Sequence, residues 1–186
     1  VTFVFAYDTN IDPSKTALIV MDPWVETLYD KEHDGYLEDI TESYILPVIQ
    51  KAITRKMLII ILTNDSSRID NTPKIHPGVK KFTLTGQAKL LYHQDYSAES
   101  LSNYLRGKGI EILIYTGFAS NQCLLKRRSG MPEMKRKGFK VFLIPRASAA
   151  VETEDSWESK AIHRDIIKMV EEKGIARILK YDDFIK

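Results

Sequence analysis

The chain has one cysteine, Cys123, and it closes a run of small and polar residues, Gly117-Phe118-Ala119-Ser120-Asn121-Gln122-Cys123. An apolar segment of strand length, Ile112–Thr116, precedes that run, and helix-forming residues follow it. A thiol at a helix N-terminus faces unpaired N–H groups and the positive end of the helix dipole, which favour the thiolate and lower its pKa. A thiolate is a nucleophile, and nucleophilic catalysis needs a base beside it. The candidate base is Asp22, which ends a second apolar run, Leu18-Ile19-Val20-Met21. Both residues also have plainer accounts. A lone cysteine is among the residue types most often simply buried, and an aspartate after a strand is a common cap or turn former. What favours function is that both fall at the carboxyl ends of strands, where open parallel sheets bind ligands.

The elements that must hold these residues follow from the apolar pattern. Ala17–Met21, Met57–Leu62, Ile112–Thr116 and Val141–Ile144 are continuous rather than alternating apolar runs, the pattern of strands covered on both faces. A weaker run, Ala176–Tyr181, fits an edge strand. Between them lie helical stripes. Ile45, Val48, Ile49, Ala52 and Ile53 form one, with Pro47 in its first turn. Leu101, Tyr104 and Leu105 form another, opened by Ser97 and closed near Gly107 and Gly109. A third runs from Trp157 to Val170, with a capping box at Asp155 and Glu158 and Gly174 at C′. Alternating strand and helix predicts an α/β fold, a three-layer α/β/α sandwich around a mainly parallel sheet, with residues 1–186 as one domain. Asn64 to about Tyr92 reads as a long irregular stretch and hence as pocket wall or partner surface.

Composition excludes several classes. The net charge of +2, from 27 basic and 25 acidic residues, is too balanced to indicate a nucleic-acid partner. The basic stretch Lys126-Arg127-Arg128 carries apolar residues at helical spacing and reads as a solvated helix face. No apolar run approaches a membrane span. With one cysteine and no signal-like start, the expected location is the cytoplasm. A nucleotide-binding α/β domain is disfavoured, because Asp22-Pro23-Trp24 stands where a glycine-rich loop would follow the first strand.

Taken in order, the motifs resemble the isochorismatase-like, or cysteine hydrolase, superfamily. They are the strand ending in Asp22, Ile45-Leu46-Pro47 opening a helix, Tyr96-Ser97-Ala98 before the next, and Gly109-Ile110 closing it. The most specific is Gly117-Phe118-Ala119-Ser120-Asn121-Gln122-Cys123, similar to the family's Gly-x-Ala-Thr-Asn-x-Cys, followed by Gly138-Phe139 and another apolar strand. The resemblance implies an isochorismatase-like, Rossmann-like fold and an Asp–Lys–Cys triad, with Cys123 as nucleophile and Asp22 as base. It implies a non-proline cis peptide at Phe118–Ala119 and an oxyanion hole made by the Ala119 and Cys123 N–H groups. It also implies a homo-oligomer, dimer or tetramer.

The chain departs from that pattern at three places. The lysine position, four residues before Ser97, is His93. His93 then either serves as acid/base in a Cys123–His93–Asp22 arrangement or leaves a site without its fixed charge. Lys89 is about 13 Å away along an extended segment and too far to substitute. After the second strand, Asp65 is followed by Ser66 and Ser67 with the nearest histidine at His76, a poor donor set, so no metal and no other cofactor is expected. The helix after Cys123 should break at Gly130 and Pro132. Trp24, Tyr29 and Phe118 would line the substrate pocket, and Arg127 would meet an anionic group if it does not simply face solvent. The expectation is a hydrolase of a small amide or carbamoyl compound. The competing reading is a binding or assembly module that has lost the chemistry.

Overall fold

The structure, a computed structural model, describes residues 11–27 and 31–186. Four strands stand where the apolar runs predict them: β1 (Thr16–Met21), β3 (Leu58–Thr63), β6 (Ile112–Phe118) and β7 (Lys140–Ala149). With β5 (Lys89–Tyr92) and the two-residue β8 (Arg177–Ile178) they form one sheet in the order β5-β3-β1-β6-β7-β8. Every pairing is parallel. All six residues of β1 are buried, as a central strand covered on both faces requires.

Alternate residues of each strand feed two separate cores. Leu18, Val20, Ile59, Ile61 and Ile114 pack with Leu37 and Ile40 of α1 (Lys31–Ile40), Val48, Ile49 and Ala52 of α2 (Leu46–Thr54), and Val79 of α3 (Pro77–Leu84). Phe184 of α8 (Tyr181–Ile185) joins that core. Ala17, Ile19, Met21, Ile60 and Leu113 pack instead with Leu101 and Leu105 of α4 (Ala98–Gly107), Leu124 of α5 (Cys123–Lys126), Met131 and Met134 of α6 (Met131–Arg136), and Val170 of α7 (Ala161–Glu172). The result is the expected α/β/α sandwich.

Three expectations need correction. The stretch 64–92 is not an irregular loop: it holds β4 (Lys74–Ile75), α3 and β5. Its elements escape pattern reading because they are short, and β5 is an edge strand with only Leu91 buried. Helix α1 also went unread, since it buries just Leu37 and Ile40. Finally, Asp155 and Glu158 do not make the capping box. Thr153 and Ser156 make it, on a separate 3-10 turn, and α7 begins only at Ala161 with Glu152 accepting the Ile162 and His163 N–H groups. Ser97 does cap α4, and the helix after Cys123 does break into α5 and α6.

The sheet order fixes where a ligand can enter. From β1 the chain winds outward through β3 to β5, then returns to the other side of β1 and winds through β6, β7 and β8. The connections therefore diverge between β1 and β6, opening a crevice at their carboxyl ends. Asp22 follows one of these strands, and the run leading to Cys123 follows the other.

Candidate active site

At the end of β1 the backbone turns sharply. Asp22 adopts φ +46°, its N–H donates to Leu62 O (2.9 Å), and its own carbonyl accepts from Trp24 N (2.8 Å). Aspartate is among the few residue types that tolerate that left-handed conformation. The turn leads into β2 (Trp24–Val25), which pairs antiparallel with β4, so Trp24 lies beside the site. Its indole N–H donates to Thr63 Oγ1 at 2.9 Å.

β6 delivers the nucleophile turn. Gly117 has φ +102°, and a Cβ there would stand 2.0 Å from Met21 O. Only glycine lets β6 approach β1 so closely at the level of Asp22. The Phe118–Ala119 peptide is cis, as expected. One side chain and one backbone N–H of the turn fasten it to the end of β7 and the residues just after it. Asn121 exchanges two hydrogen bonds of 3.0 Å with the Val151 backbone, and the Ser120 N–H donates to Ala149 O at 2.8 Å. The Ala119 N–H donates toward the Cys123 sulfur. Neither it nor the Cys123 N–H is taken by a backbone carbonyl of the described residues.

The predicted site residues converge except where noted. Asp22 is fully buried, and His93 Nε2 lies 3.1 Å from its Oδ1. His93 is carried by the 3-10 turn 93–95 directly after β5. Its Nδ1 faces Ser129 Oγ at 3.3 Å, and the Ser129 carbonyl accepts from the buried Tyr115 hydroxyl at 2.7 Å. A neutral ring can thus donate to Asp22 while accepting from Ser129, and a protonated ring can donate to both. Trp24 and Phe118 line a small cavity of about 40 Å³ together with Cys123, Thr27, Leu37 and Val151. Tyr29 lies outside the described residues. Arg127 does not enter that cavity; it lines a more open one of about 490 Å³ with His93, Lys126, Arg128 and Ser129. Lys89 points elsewhere, its ammonium 4.8 Å from the Tyr104 ring centroid.

The acidity of the thiol is the principal correction. Burial pushes the Cys123 pKa up to about 12; the Asp22 charge and acceptance of the thiol hydrogen by that carboxylate add to the rise, against smaller opposite pulls from Arg127 and the Ala119 N–H. The expected lowering fails because α5 is a single turn, too short for much dipole, and because the thiol is turned inward toward a carboxylate. The resting group is a neutral thiol with a proton acceptor beside it.

Neither candidate donor group among the described residues suits a metal ion. Asp65 is engaged by the Ser67 hydroxyl and N–H and by Arg68, and these hold its carboxyl below the ordinary range. Glu38, Glu42 and His76 bring ligand atoms within 4.8 Å of one another. However, His76 Nδ1 accepts the Gly78 N–H at 3.1 Å, which leaves the ring hydrogen on Nε2 and no lone pair to offer.

A supporting histidine could not be read from the sequence. His163, on α7, receives the Ser120 hydroxyl at Nδ1 (2.9 Å) and donates from Nε2 to Pro145 O (3.1 Å). Burial lowers its pKa, with partial compensation from Pro145 O and the Glu152 charge. Its folded pKa is below the unfolded value near 6.5, so stability is full above pH 6.5 and falls as the solution is acidified through and below it. Denaturant midpoints measured from pH 7.5 to 5 should decline, and His163→Gln should flatten the decline. A slope unchanged in that variant would assign the acid sensitivity elsewhere.

No protein-family model and no curated protein sequence matches the chain. Solved structures do. A cysteine hydrolase from Pseudomonas syringae pv. phaseolicola 1448A superposes with a TM-score of 0.72 at 17% identity, over 94% of this chain and 92% of that one. The nicotinamidase PncA from Bacillus subtilis gives 0.66 at 15% identity, over 88% and 98%. The chain has the isochorismatase-like fold. The YcaC gene product of Escherichia coli, an octameric hydrolase of unknown specificity, also shares this fold, with a TM-score of 0.67 at 16% identity over 94% and 79%. At these identities the likeness is one of fold. No helix among the described residues is long and apolar enough to cross a membrane.

Proposed function

We propose that the chain is a cysteine-dependent hydrolase of the isochorismatase-like superfamily, cleaving the C–N bond of a small amide or carbamoyl compound. The observation that carries this reading is the meeting of a thiol that lines an apolar cavity, a buried carboxylate beside that thiol, and two N–H groups of the same turn that no backbone carbonyl of the described residues takes. The Cys123 sulfur attacks the carbonyl carbon while its proton passes to Asp22. The carbonyl oxygen takes up the electron pair and is held by the Ala119 and Cys123 N–H groups. The tetrahedral centre collapses, the nitrogen leaves with the proton held by Asp22, and a thioester remains. Water then attacks the thioester, Asp22 removes its proton, and the sulfur departs and recovers that proton as the acid is released. His93 orients Asp22 throughout. Trp24 and Phe118 line the acyl pocket, whose volume of about 40 Å³ suits an acyl group of a few heavy atoms. Assembly as a homo-oligomer, dimer or tetramer, is part of the reading, and light scattering measures it.

The test is ammonia release from a panel of primary amides and carbamoyl compounds, with intact-mass detection of an acyl adduct. Turnover and an adduct that both disappear in Cys123→Ala are expected. A panel with neither, on folded protein, would leave the binding or assembly module as the reading of choice.

A further inference from the structure

The two oxygens of Asp22 have different surroundings. Oδ1 is met by His93, whereas Oδ2 is buried with no hydrogen-bond partner. Native proteins rarely leave a buried carboxylate oxygen unmet, since burying uncompensated charge is costly. The cation nearest to Oδ2 among the described ion pairs is Arg127, with Nη2 at 4.0 Å, an ion-pair distance beyond hydrogen-bond reach. Its side chain is 34% exposed and reaches Asp22 from the open cavity.

The local chain geometry aims it there. Helix α5 stops after one turn, and Arg127 leaves it in an extended conformation, φ −70° and ψ 151°. The chain then folds back so closely that a Cβ on Gly130 would stand 2.7 Å from Leu124 O. A continuous helix would have turned Arg127 outward, as the sequence pattern suggested.

Resting on the hydrolase reading above, we propose that Arg127 is a positioning residue: held at Oδ2, it offsets the Asp22 charge that a Cys123 thiolate would otherwise face, while His93 orients the same carboxylate through Oδ1. Arg127 lies across Asp22 from the acyl cavity and shares no lining with it, so it acts through the carboxylate rather than on the substrate's acyl group. The charged and titratable groups around the thiol are Asp22 after β1, His93 after β5, His33 on α1 and Arg127 after α5, with the exposed Lys126 on α5 itself.

The experiment is the pH dependence of Cys123 alkylation by iodoacetamide, which needs no substrate. Arg127→Gln should move the profile to higher pH and slow alkylation at pH 8 by about threefold or more, since each unit of rise removes tenfold of thiolate and returns part of that as nucleophilicity. Arg127→Lys should restore most of the rate, because the contact is one of charge and not of guanidinium geometry. The shift should shrink when Asp22 is already asparagine. A Gln profile superimposable on wild type, a Lys variant as slow as Gln, or an undiminished shift in the Asp22→Asn background would each overturn the proposal. Should Arg127→Gln not fold, phenylglyoxal modification of the folded wild-type protein, located on Arg127 by peptide mass, must reproduce the upward shift. An amide panel without turnover leaves these profiles unaffected, so the two readings fail separately.

Discussion

Asp22→Asn is expected to abolish turnover and, in the same protein, to make Cys123 easier to alkylate. The two effects have one cause. The Asp22 carboxylate raises the thiol pKa by its charge and by accepting the thiol hydrogen, so replacing it with a neutral amide lowers that pKa from about 12. Each unit of lowering increases thiolate tenfold at pH 8, and after the accompanying loss of intrinsic nucleophilicity alkylation accelerates about threefold per unit. Hydrolysis moves the other way. Attack on an amide needs somewhere to put the thiol proton and something to return it to the departing nitrogen, and asparagine does neither. General acid–base catalysis contributes about a hundred- to ten-thousandfold, which sets the expected fall in kcat. A variant that keeps turnover within tenfold of wild type would remove Asp22 from its role as base. One that loses turnover without gaining reactivity toward iodoacetamide would mean that the thiol and carboxylate are not coupled.

Gly117→Ala is expected to be the most damaging single-atom change in the chain. The added Cβ meets Met21 O at 2.0 Å and Met21 N at 2.8 Å, both backbone atoms of the central strand, and the φ of +102° disfavours any L side chain. Neither strand can yield without breaking its ladder: β1 is bonded to β3 on one side and β6 on the other. Strain of this kind costs at least about 3 kcal/mol, or about 10 °C in melting temperature for a chain of this size. Because the clash sits beside Asp22 and at the start of the nucleophile turn, residual folded protein should also lose activity. A melt within about 3 °C of wild type would show that the strands separate more easily than the packing suggests.

How far the sequence could be read follows the range of the interactions involved. Strands β1, β3, β6 and β7 are legible because burial on both faces leaves a continuous apolar signature. Edge strand β5 and helix α1 are not, since one-sided or sparse burial leaves too few apolar residues to count. The capping box lies at Thr153 and Ser156, two residues before the Asp155 and Glu158 that the pattern indicates. Nothing local distinguishes Asp155 from Thr153 once the capped turn is detached from α7. In the site, Asp22, His93 and Cys123 were readable as strand ends and motif positions. The thiol's acidity was not, because it depends on which way the side chain turns after α5 and on a carboxylate about a hundred residues away. The same holds for Arg127, Ser129 and His163, whose roles arise from a helix break and from contacts between residues far apart in the chain.

The divergence of the chain between β1 and β6 also bears on when the site comes into being. Asp22 is fixed at the centre of the sheet near the start of the chain, but its neighbouring strand is made only after the whole β3–β5 half has been laid down on the other side. A fragment that stops before β6 holds Asp22 without Cys123, and a nascent chain emerging from the ribosome would expose Cys123 before β6 and β7 close over it. The inward-facing thiol is therefore a reporter of assembly. Its protection from alkylation should appear in the same kinetic step as the last strand pairing, after the bulk of helix has formed, because closing so long a loop is the slowest part of organising such a sheet.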